Sequence, residues 1–308
     1  MTAARRLSVV VPTYRREELL CRTLEDLLRQ RWPAYEVLVV DQTPDHTAAT
    51  RGFLDAAASR ITRITQGRPS LVAALNRGIR AATGEIVVLV DDDIQVPDAG
   101  FLAAHAANYD EPAIGAVAGR VLDAADPRAG AYDPRSADPV WGFFHSGWTH
   151  GTRADVTTAP GANMSARRSL LLEVGGVDER FRGNAFRWEN DLCLRLRRAG
   201  HRVVYDPAPT VHHHYGSPGG ADNRHLMGRE PGSHGWYRDF FHNQVYVTRK
   251  HMPRGVLPRL LWRVYRGHVL NRPYLREGVR FQLARHRAFA AGVAAGWRSW
   301  RARRPDDP

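Results

Sequence analysis

Residues 86–93 read Ile-Val-Val-Leu-Val-Asp-Asp-Asp, five apolar residues set directly against three adjacent acids. The apolar run is short, rich in β-branched side chains and uninterrupted, which is the pattern of a strand covered on both faces. Just before it, residues 70–83 (SLVAALNRGIRAAT) read as a helix with Ser70 placed to cap it. Further upstream, LSVVVP (7–12), EVLVVD (36–41) and RITRIT (60–65) read as strands. Residues 16–31 read as a helix with Leu20, Leu24, Leu27 and Leu28 on one side. Glu17 and Glu18 at its start and Arg29 and Arg31 at its end suit the helix dipole. Strand and helix in alternation imply βαβ units, hence an α/β fold with a mostly parallel sheet flanked by helices. In such sheets ligands bind beyond the carboxyl ends of the strands. Here those ends carry Pro12-Thr13-Tyr14-Arg15, Asp41 and Asp91-Asp92-Asp93, so three of them converge on one polar crevice.

After AIGAVAGRVL (113–122) the pattern breaks, and residues 124–158, rich in Asp, Pro, Gly and Trp, read as an irregular insertion over the sheet. A new ordered block follows, with PGANMSARRSLLLEVGGVDERF (160–181), a helix WENDLCLRLRRAG (188–200) and a strand HRVVYDP (201–207). Past Val211 glycines and prolines mark a loop, and residues 236–300 look mainly helical. The expected division is a main domain over 1–235, made of 1–123, the insertion 124–158 and 159–235, then a helical, Arg-rich region over 236–308.

The 308 residues, 43% hydrophobic and 25% charged, have the composition of a globular chain rather than a disordered or fibrous one. No stretch suits a bilayer-spanning helix, and the first eleven residues fit neither a signal peptide nor a membrane span. Cys21 and Cys193, each inside a helical stretch, offer neither a disulfide framework nor metal-ligand spacing, so a cytoplasmic location is expected. The formal charge is +12, yet Lys250 is the sole lysine among 44 basic residues, so part of that charge reflects a bias toward arginine. Arginines crowd residues 249–304, where acids are few, and that asymmetry points to membrane phosphate, nucleic acid or a plain solvated helix face.

Three carboxylates in a row repel one another unless a cation neutralises them. A hard divalent ion does so with oxygen ligands, and Mg²⁺ takes one or two protein carboxylates while sharing substrate phosphates. Alternation along the strand sends Asp91 and Asp93 to one side. A solvated acidic turn would show the same three letters, so the surroundings decide. VVVPTYRR (9–16), VLVVDQTPD (37–45), ALNRGIRAATGEIVVLVDDD (74–93), PGANMSARR (160–168), GGVDERF (175–181), WENDLCLRLRRAG (188–200) and VHHHYG (211–216) follow in that order. Together they resemble the family 2 glycosyltransferases of the GT-A fold, over about Leu7 to Pro253. The resemblance implies a nucleotide-sugar donor bound by the parallel sheet of residues 1–123, and a D-x-D motif that holds Mg²⁺ or Mn²⁺. Carried over, Pro12, Thr13 and Arg15 would line the nucleotide pocket, Asp41 would bond the base, and Asn76 would lie near the ribose and diphosphate. Asp91 and Asp93 would be the acids of the motif, Asp93 the metal ligand and Asp91 facing metal or ribose, with Asp92 between them in the nucleotide site. Gln42 and Leu75 depart from the family, which has a second acid and an arginine at those places.

The helix 188–200 resembles the family's E-D-x-D-L segment, in which an acid deprotonates the acceptor hydroxyl. Aligning Asp191-Leu192 places Glu189 on that acid and Trp188, a departure, on the glutamate before it. From the residues alone, Glu189 is a first-turn carboxylate whose burial would raise its pKa while the helix dipole opposes the rise. Asp191, the second catalytic candidate, would equally pair with Arg195 four residues on. By spacing from Pro207 the resemblance makes His213 a metal ligand, and a one-residue slip selects His212 or His214 instead. Asp178, after the Gly175-Gly176 turn, is a candidate to face the acceptor. Trp141, Phe143, Phe144 and Trp148 would stack on a sugar or simply pack.

The processive relatives carry several spanning helices and a Q-x-x-R-W motif, neither of which is present in this chain. One sugar per encounter is therefore expected, on a carbohydrate, lipid-linked or small-molecule acceptor in cell-surface polysaccharide, glycolipid or natural-product glycosylation. VLPRLLWRVYRGHVL (256–270) mixes apolar and basic residues as a surface-lying helix would, which allows peripheral contact with an anionic membrane on its cytoplasmic side, or equally a helix packed on the domain. Trp188 and Leu75 motivate one rival, an inactive relative that binds a sugar nucleotide or a protein. A nucleic-acid binder is not expected, since the strand-end acids would repel phosphate. The lack of G-x-G-x-x-G after the first strand disfavours a nicotinamide enzyme.

Overall fold

Val9 and Val11 point to one side of the first strand and Val10 to the other, and all three are buried, so two layers of helix must cover the sheet. The computed structural model describes residues 4–125, 148–215, 233–270 and 276–303. Its strands are β1 (Leu7–Thr13), β2 (Tyr35–Asp41), β3 (Ile61–Thr65), β4 (Ile86–Val90), β5 (Ile94–Gln95), β6 (Ile114–Asp123), β7 (Ala154–Val156), β8 (Asn163–Arg167) and β9 (Arg202–His213). Among the described residues they form one sheet in the order β3-β2-β1-β4-β8-β6-β9-β5, with β7 paired to β9 off that path. The half β3-β2-β1-β4 is wholly parallel, as the strand–helix alternation predicts. Its register sets Thr13 level with Asp41 and Asp41 level with Thr65, so the carboxyl ends share one edge. Beyond β4 the sheet becomes mixed: β8 runs antiparallel to β4 and β6, and β9 parallel to β6.

The helices are α1 (Glu18–Leu28), α2 (Ala48–Ala56), α3 (Leu71–Ala81), α4 (Phe101–Ala107), α5 (Arg168–Glu173), α6 (Trp188–Arg198), α7 (His234–His251), α8 (Val256–His268) and α9 (Val279–Arg301). Ser70 caps α3 as expected, its hydroxyl accepting from the Ala73 N–H. One face of the sheet packs Leu20, Leu24 and Leu27 of α1 and Phe101 and Leu102 of α4 against Val9, Val88 and Val90. The other packs α3, α5, α6 and α7 against Val10, Leu38, Val87 and Leu89. Tyr237, Phe240, Phe241 and Tyr246 of α7 belong to that second layer, and α9 lays the buried Arg285 guanidinium 3.4 Å over the Tyr237 ring.

The last strand departs from the sequence reading, which ends it at Pro207. β9 runs on to His213 because Pro207-Ala208-Pro209 bulge out of the ladder: Asp206 lies beside Gly119 of β6, and the next pair is Thr210 with Arg120. Prolines cannot donate to a ladder and so read as a stop, but here the bulge takes both. Asn163 holds it, donating to Pro209 O at 2.9 Å and Arg120 O at 3.0 Å. Gly119 is required at this crossing, since a Cβ there would lie 2.3 Å from the Asn163 amide. The bulge carries the histidines onto the strand, where His213 lies beside Ile94 of β5. Trp141, Phe143 and Phe144, most of the 124–158 insertion and most of the loop past Tyr215 lie outside the described residues.

Candidate active site

β4 ends at Val90, and the turn that follows, rather than a strand pleat, brings Asp91 and Asp93 to one side, where β9 delivers His213 to them. His213 Nε2 lies 3.3 Å from Asp91 Oδ2 and 3.1 Å from Asp93 Oδ1. A ligand atom from each of the three falls within 4.8 Å of the others, the one such cluster among the described residues. Of the three histidines it is therefore His213 that joins the acids. His212 sits level with Gln95, and His214 gives its backbone N–H to Asp93 O. Asp93 is 4% exposed and Asp91 37%, so one acid is sealed in the protein while the other opens to the crevice. Two carboxylates and an imidazole nitrogen form a donor set that could hold a divalent cation such as Mn²⁺ or Mg²⁺.

The charges show what balances the acids in this structure. Burial pushes His213 down, but Asp93 and Asp91 outweigh it and raise the ring to about 10, so an imidazolium stands between the carboxylates. Burial, with the charge of Asp93 behind it, pushes Asp92 up to about 7 against the pull of Arg16. Arg16 sits 2.8 Å from Asp93 Oδ2 and 3.4 Å from Asp92 Oδ1. The sequence reading stopped one residue short, at Arg15. Arg15 instead is exposed over the Tyr14 ring at φ +54°, its N–H bonded to Thr43 Oγ1 at 2.8 Å. Pro12 and Thr13 are buried at the end of β1.

Two expected nucleotide contacts turn inward. Asp41 is buried, with Oδ1 accepting from the Thr43 N–H at 2.9 Å and Oδ2 facing His46 Nε2 at 2.9 Å and Arg63 at 2.6 Å. Burial opposes its ionisation, yet the Thr43 N–H, His46 and Arg63 together hold it below the usual carboxylate range. Arg63, partly exposed, is the group this corner presents outward. Asn76 is likewise spent on the fold: its amide brackets Val177, donating to O and accepting from N at 2.8 Å each, and donates to Glu179 at 2.8 Å. It thus clamps the turn at Gly176, whose φ of +73° suits glycine and where a Cβ would lie 2.5 Å from Asn76 Oδ1. Asp178, the candidate to face the acceptor, has its carboxylate inside the protein. It is fully buried against the Tyr246 hydroxyl at 2.6 Å and Lys250 Nζ at 2.7 Å.

The two candidates on α6 differ in kind. Glu189 stands in the first turn, partly open, and burial pushes its carboxyl up to about 7 against its own backbone N–H and Arg187, with the Asp91 charge adding to the rise. Asp191 is fully buried between two cations, Arg195 Nε at 2.8 Å and Lys250 Nζ at 2.7 Å, and the His251 ring, whose Nε2 lies at 2.6 Å and whose pKa burial holds below the ordinary histidine value. Burial resists, but the Arg195 charge, the His251 hydrogen bond and the Lys250 charge hold Asp191 far below the usual range. The expectation that Asp191 shares the catalytic role therefore meets a carboxylate that is committed to packing. Trp188 is buried against the PGAN turn, where a Cβ on Gly161 would lie 3.2 Å from its ring. Trp148 packs on Tyr205 with ring centroids 5.9 Å apart. Arg187 and Ala185, at φ +83° and +55°, make a strained entry to α6.

Comparison with known proteins bears on this arrangement. The chain is 27% identical over 236 residues to the O-antigen biosynthesis protein RfbC of Myxococcus xanthus, covering 70% of this chain and 18% of that protein, so it spans under a fifth of that relative's length. It is 26% identical over 218 residues to a glucosyl-dolichyl phosphate glucuronosyltransferase of Haloferax volcanii, covering 68% and 69% of the two chains. Its fold is similar to that of the mannosyltransferase PcManGT from Pyrobaculum calidifontis, solved with GDP-Man and Mn²⁺: TM-score 0.56, 22% identity, 98% of this chain and 77% of that one. Residues 8–175, more than half of the sequence and the whole run from β1 through the acids to the end of α5, match the description of glycosyl transferase family 2, and the chain belongs to that family.

Proposed function

We propose that the chain moves one sugar from a nucleotide-sugar donor to an acceptor hydroxyl, with inversion at the anomeric carbon and Glu189 as the base. The observation that carries this reading is a carboxyl raised to about 7 within the electrostatic reach of Asp91, the open member of a cluster able to take a cation. Glu189 accepts the proton of the acceptor hydroxyl, and the oxygen attacks the anomeric carbon from the side opposite the diphosphate. A single displacement inverts the configuration. Asp93, Asp91 and His213 would hold Mn²⁺ or Mg²⁺, which supplies Lewis-acid stabilisation of the charge on the departing diphosphate. Arg16 fixes Asp92 and Asp93 from the far side. Trp188, packed in the core, leaves the base in place, so nothing in the site favours an inactive relative. The GDP-Man and Mn²⁺ held by PcManGT support the donor class and the metal. UDP-, GDP- and dTDP-sugars, scored by thermal shift and then by transfer or hydrolysis, test the reading. One base class should stabilise the protein only with Mn²⁺ and be turned over, whereas silence from all three would overturn it.

The acceptor reading is a lipid-linked or other saccharide at the cytoplasmic face of a membrane, reached by peripheral contact. Among the described residues no helix is long and apolar enough to cross a membrane. α8 and α9 meet through Tyr265, whose ring lies 5.0 Å from Phe289, and neither helix contains an acid. Outward they show Trp262 (58% exposed), Val279 (75%) and Leu283 (53%) among Arg259, Arg263, Arg266, Arg280 and Arg287. Apolar side chains beside cations suit an anionic lipid surface. Vesicles of phosphatidylglycerol should sediment the protein in low salt, and the variant Trp262→Ser/Arg263→Ser/Arg266→Ser should stay in the supernatant. Equal sedimentation with pure phosphatidylcholine would remove this reading.

A further inference from the structure

We propose that Lys250 is a positioning residue for the base, so that the C-terminal helix α7 sets the place of Glu189; this rests on the reading of Glu189 given above. Among 44 basic residues Lys250 is the sole lysine, and it occurs where two fully buried carboxylates converge. Its Nζ lies 2.7 Å from Asp178 Oδ2 and 2.7 Å from Asp191 Oδ1, with the side chain 2% exposed. An ammonium carries three donors on one compact centre, whereas a guanidinium offers its donors in a plane. A single point between two acids on separate segments suits the first.

The two acids belong to different parts of the fold. Asp178 follows the Gly176 turn that Asn76 clamps to α3. Asp191 lies two residues beyond Glu189 on α6. That helix is entered at its N-cap Arg187, which makes no side-chain cap hydrogen bond and sits at φ +83°, and its first turn is held to the core by the buried Trp188 and by Asn190, whose amide donates to Thr158 Oγ1 at 2.6 Å. Asp191 adds ties to two further segments. Arg195 ties Asp191 to the end of α5 through Val174 O at 2.6 Å and Gly176 O at 2.7 Å. Lys250 and His251 tie the other carboxylate oxygen to α7. Glu189 is thus aimed by a cross-brace that spans three segments of the chain. The lysine is the member that joins Asp178 to Asp191.

Removing the lysine alone would leave two buried acids short of a cation, which endangers folding. The paired variant Asp178→Asn/Lys250→Met removes one charge of each sign, and Asp191 keeps Arg195 and His251. It should unfold near the wild-type temperature, with kcat down roughly tenfold or more, donor KM within about twofold, and the acidic limb of the kcat–pH profile displaced. A folded variant with wild-type kcat and an unmoved profile overturns the proposal. Should the pair fail to fold, Asp178→Asn alone reduces the ion pair to a neutral hydrogen bond at most while leaving Lys250 on Asp191, and carries the same expected and overturning results. Glu189→Gln separates the two readings. Full turnover in that variant removes the base and this proposal with it, while a dead Glu189→Gln beside a full-rate paired variant removes only the positioning role.

Discussion

Glu189→Gln is expected to lower turnover by about 10²–10⁴-fold, the range a positioned general base contributes, while leaving donor binding intact. The amide keeps the shape and first-turn position of the side chain but cannot take a proton. No neighbour replaces it: Asp191 and Asp178 are fully buried in ion pairs, and Asp91 and Asp93 face His213. Because burial raises the carboxyl to about 7, wild-type kcat should climb as pH rises through that value and then level off. Stability should move the other way. A carboxyl raised in the folded state binds more protons there than in the unfolded chain, so stability falls as pH rises from the ordinary carboxylate range to about 7. The glutamine variant escapes that loss. Its Tm should match the wild type near pH 4 and exceed it near pH 8. Wild-type turnover in Glu189→Gln, with no Tm gap at pH 8, would remove Glu189 from the base role.

How far the sequence shows this site depends on the distance over which each interaction is formed. The alternation of β-branched runs with leucine-striped helices made the β1–β4 half readable, because strand and helix periods are local. The pairing of Asp91 with Asp93 is local too, although the turn after Val90, not the strand period from which it was expected, produces it. His213 was reachable by counting, but only a bulge at Pro207-Ala208-Pro209 keeps it on the strand, and a pair of prolines reads as an ending. What stayed hidden are partners brought by the fold. Asn76 meets Val177 from 101 positions away, and Lys250 meets Asp178 from 72. Spacing cannot reveal either, so Asn76 looked like a ribose contact and Asp178 like an acceptor contact. Asp41 looked open for the same reason, since Arg63 reaches it from the neighbouring strand β3. The helix α7 buries His242, Asn243 and Gln244 as well as aromatics, a mixed pattern from which periodicity gives no buried face. Arg16 alone had a local signal, being the next residue on the same strand-end turn.

Asp93→Ala is expected to abolish the stabilisation that Mn²⁺ and a nucleoside diphosphate give together. Asp93 is the sealed acid of the cluster, so its carboxylate acts at low effective dielectric and attracts a cation more strongly than the open Asp91. Without it the ion would keep one exposed carboxylate and an imidazole, and Arg16, deprived of its 2.8 Å partner, would repel it. A ligand that binds only the folded state stabilises it by about 2.7 kcal/mol at a hundredfold excess over its Kd, so the wild-type shift should be plain in a melting curve. In Asp93→Ala that shift should vanish with Mn²⁺, and the unliganded protein should also melt lower, because His213 and Arg16 lose the charge that both face. Asp93→Asn separates the two effects, since it keeps a polar acceptor of the same shape for Arg16 while removing the anion. It should recover much of the unliganded stability and none of the Mn²⁺ response. If nucleotide and Mn²⁺ stabilise either variant as much as the wild type, the acids after β4 hold no catalytic cation and their charge is balanced by Arg16 and His213 alone.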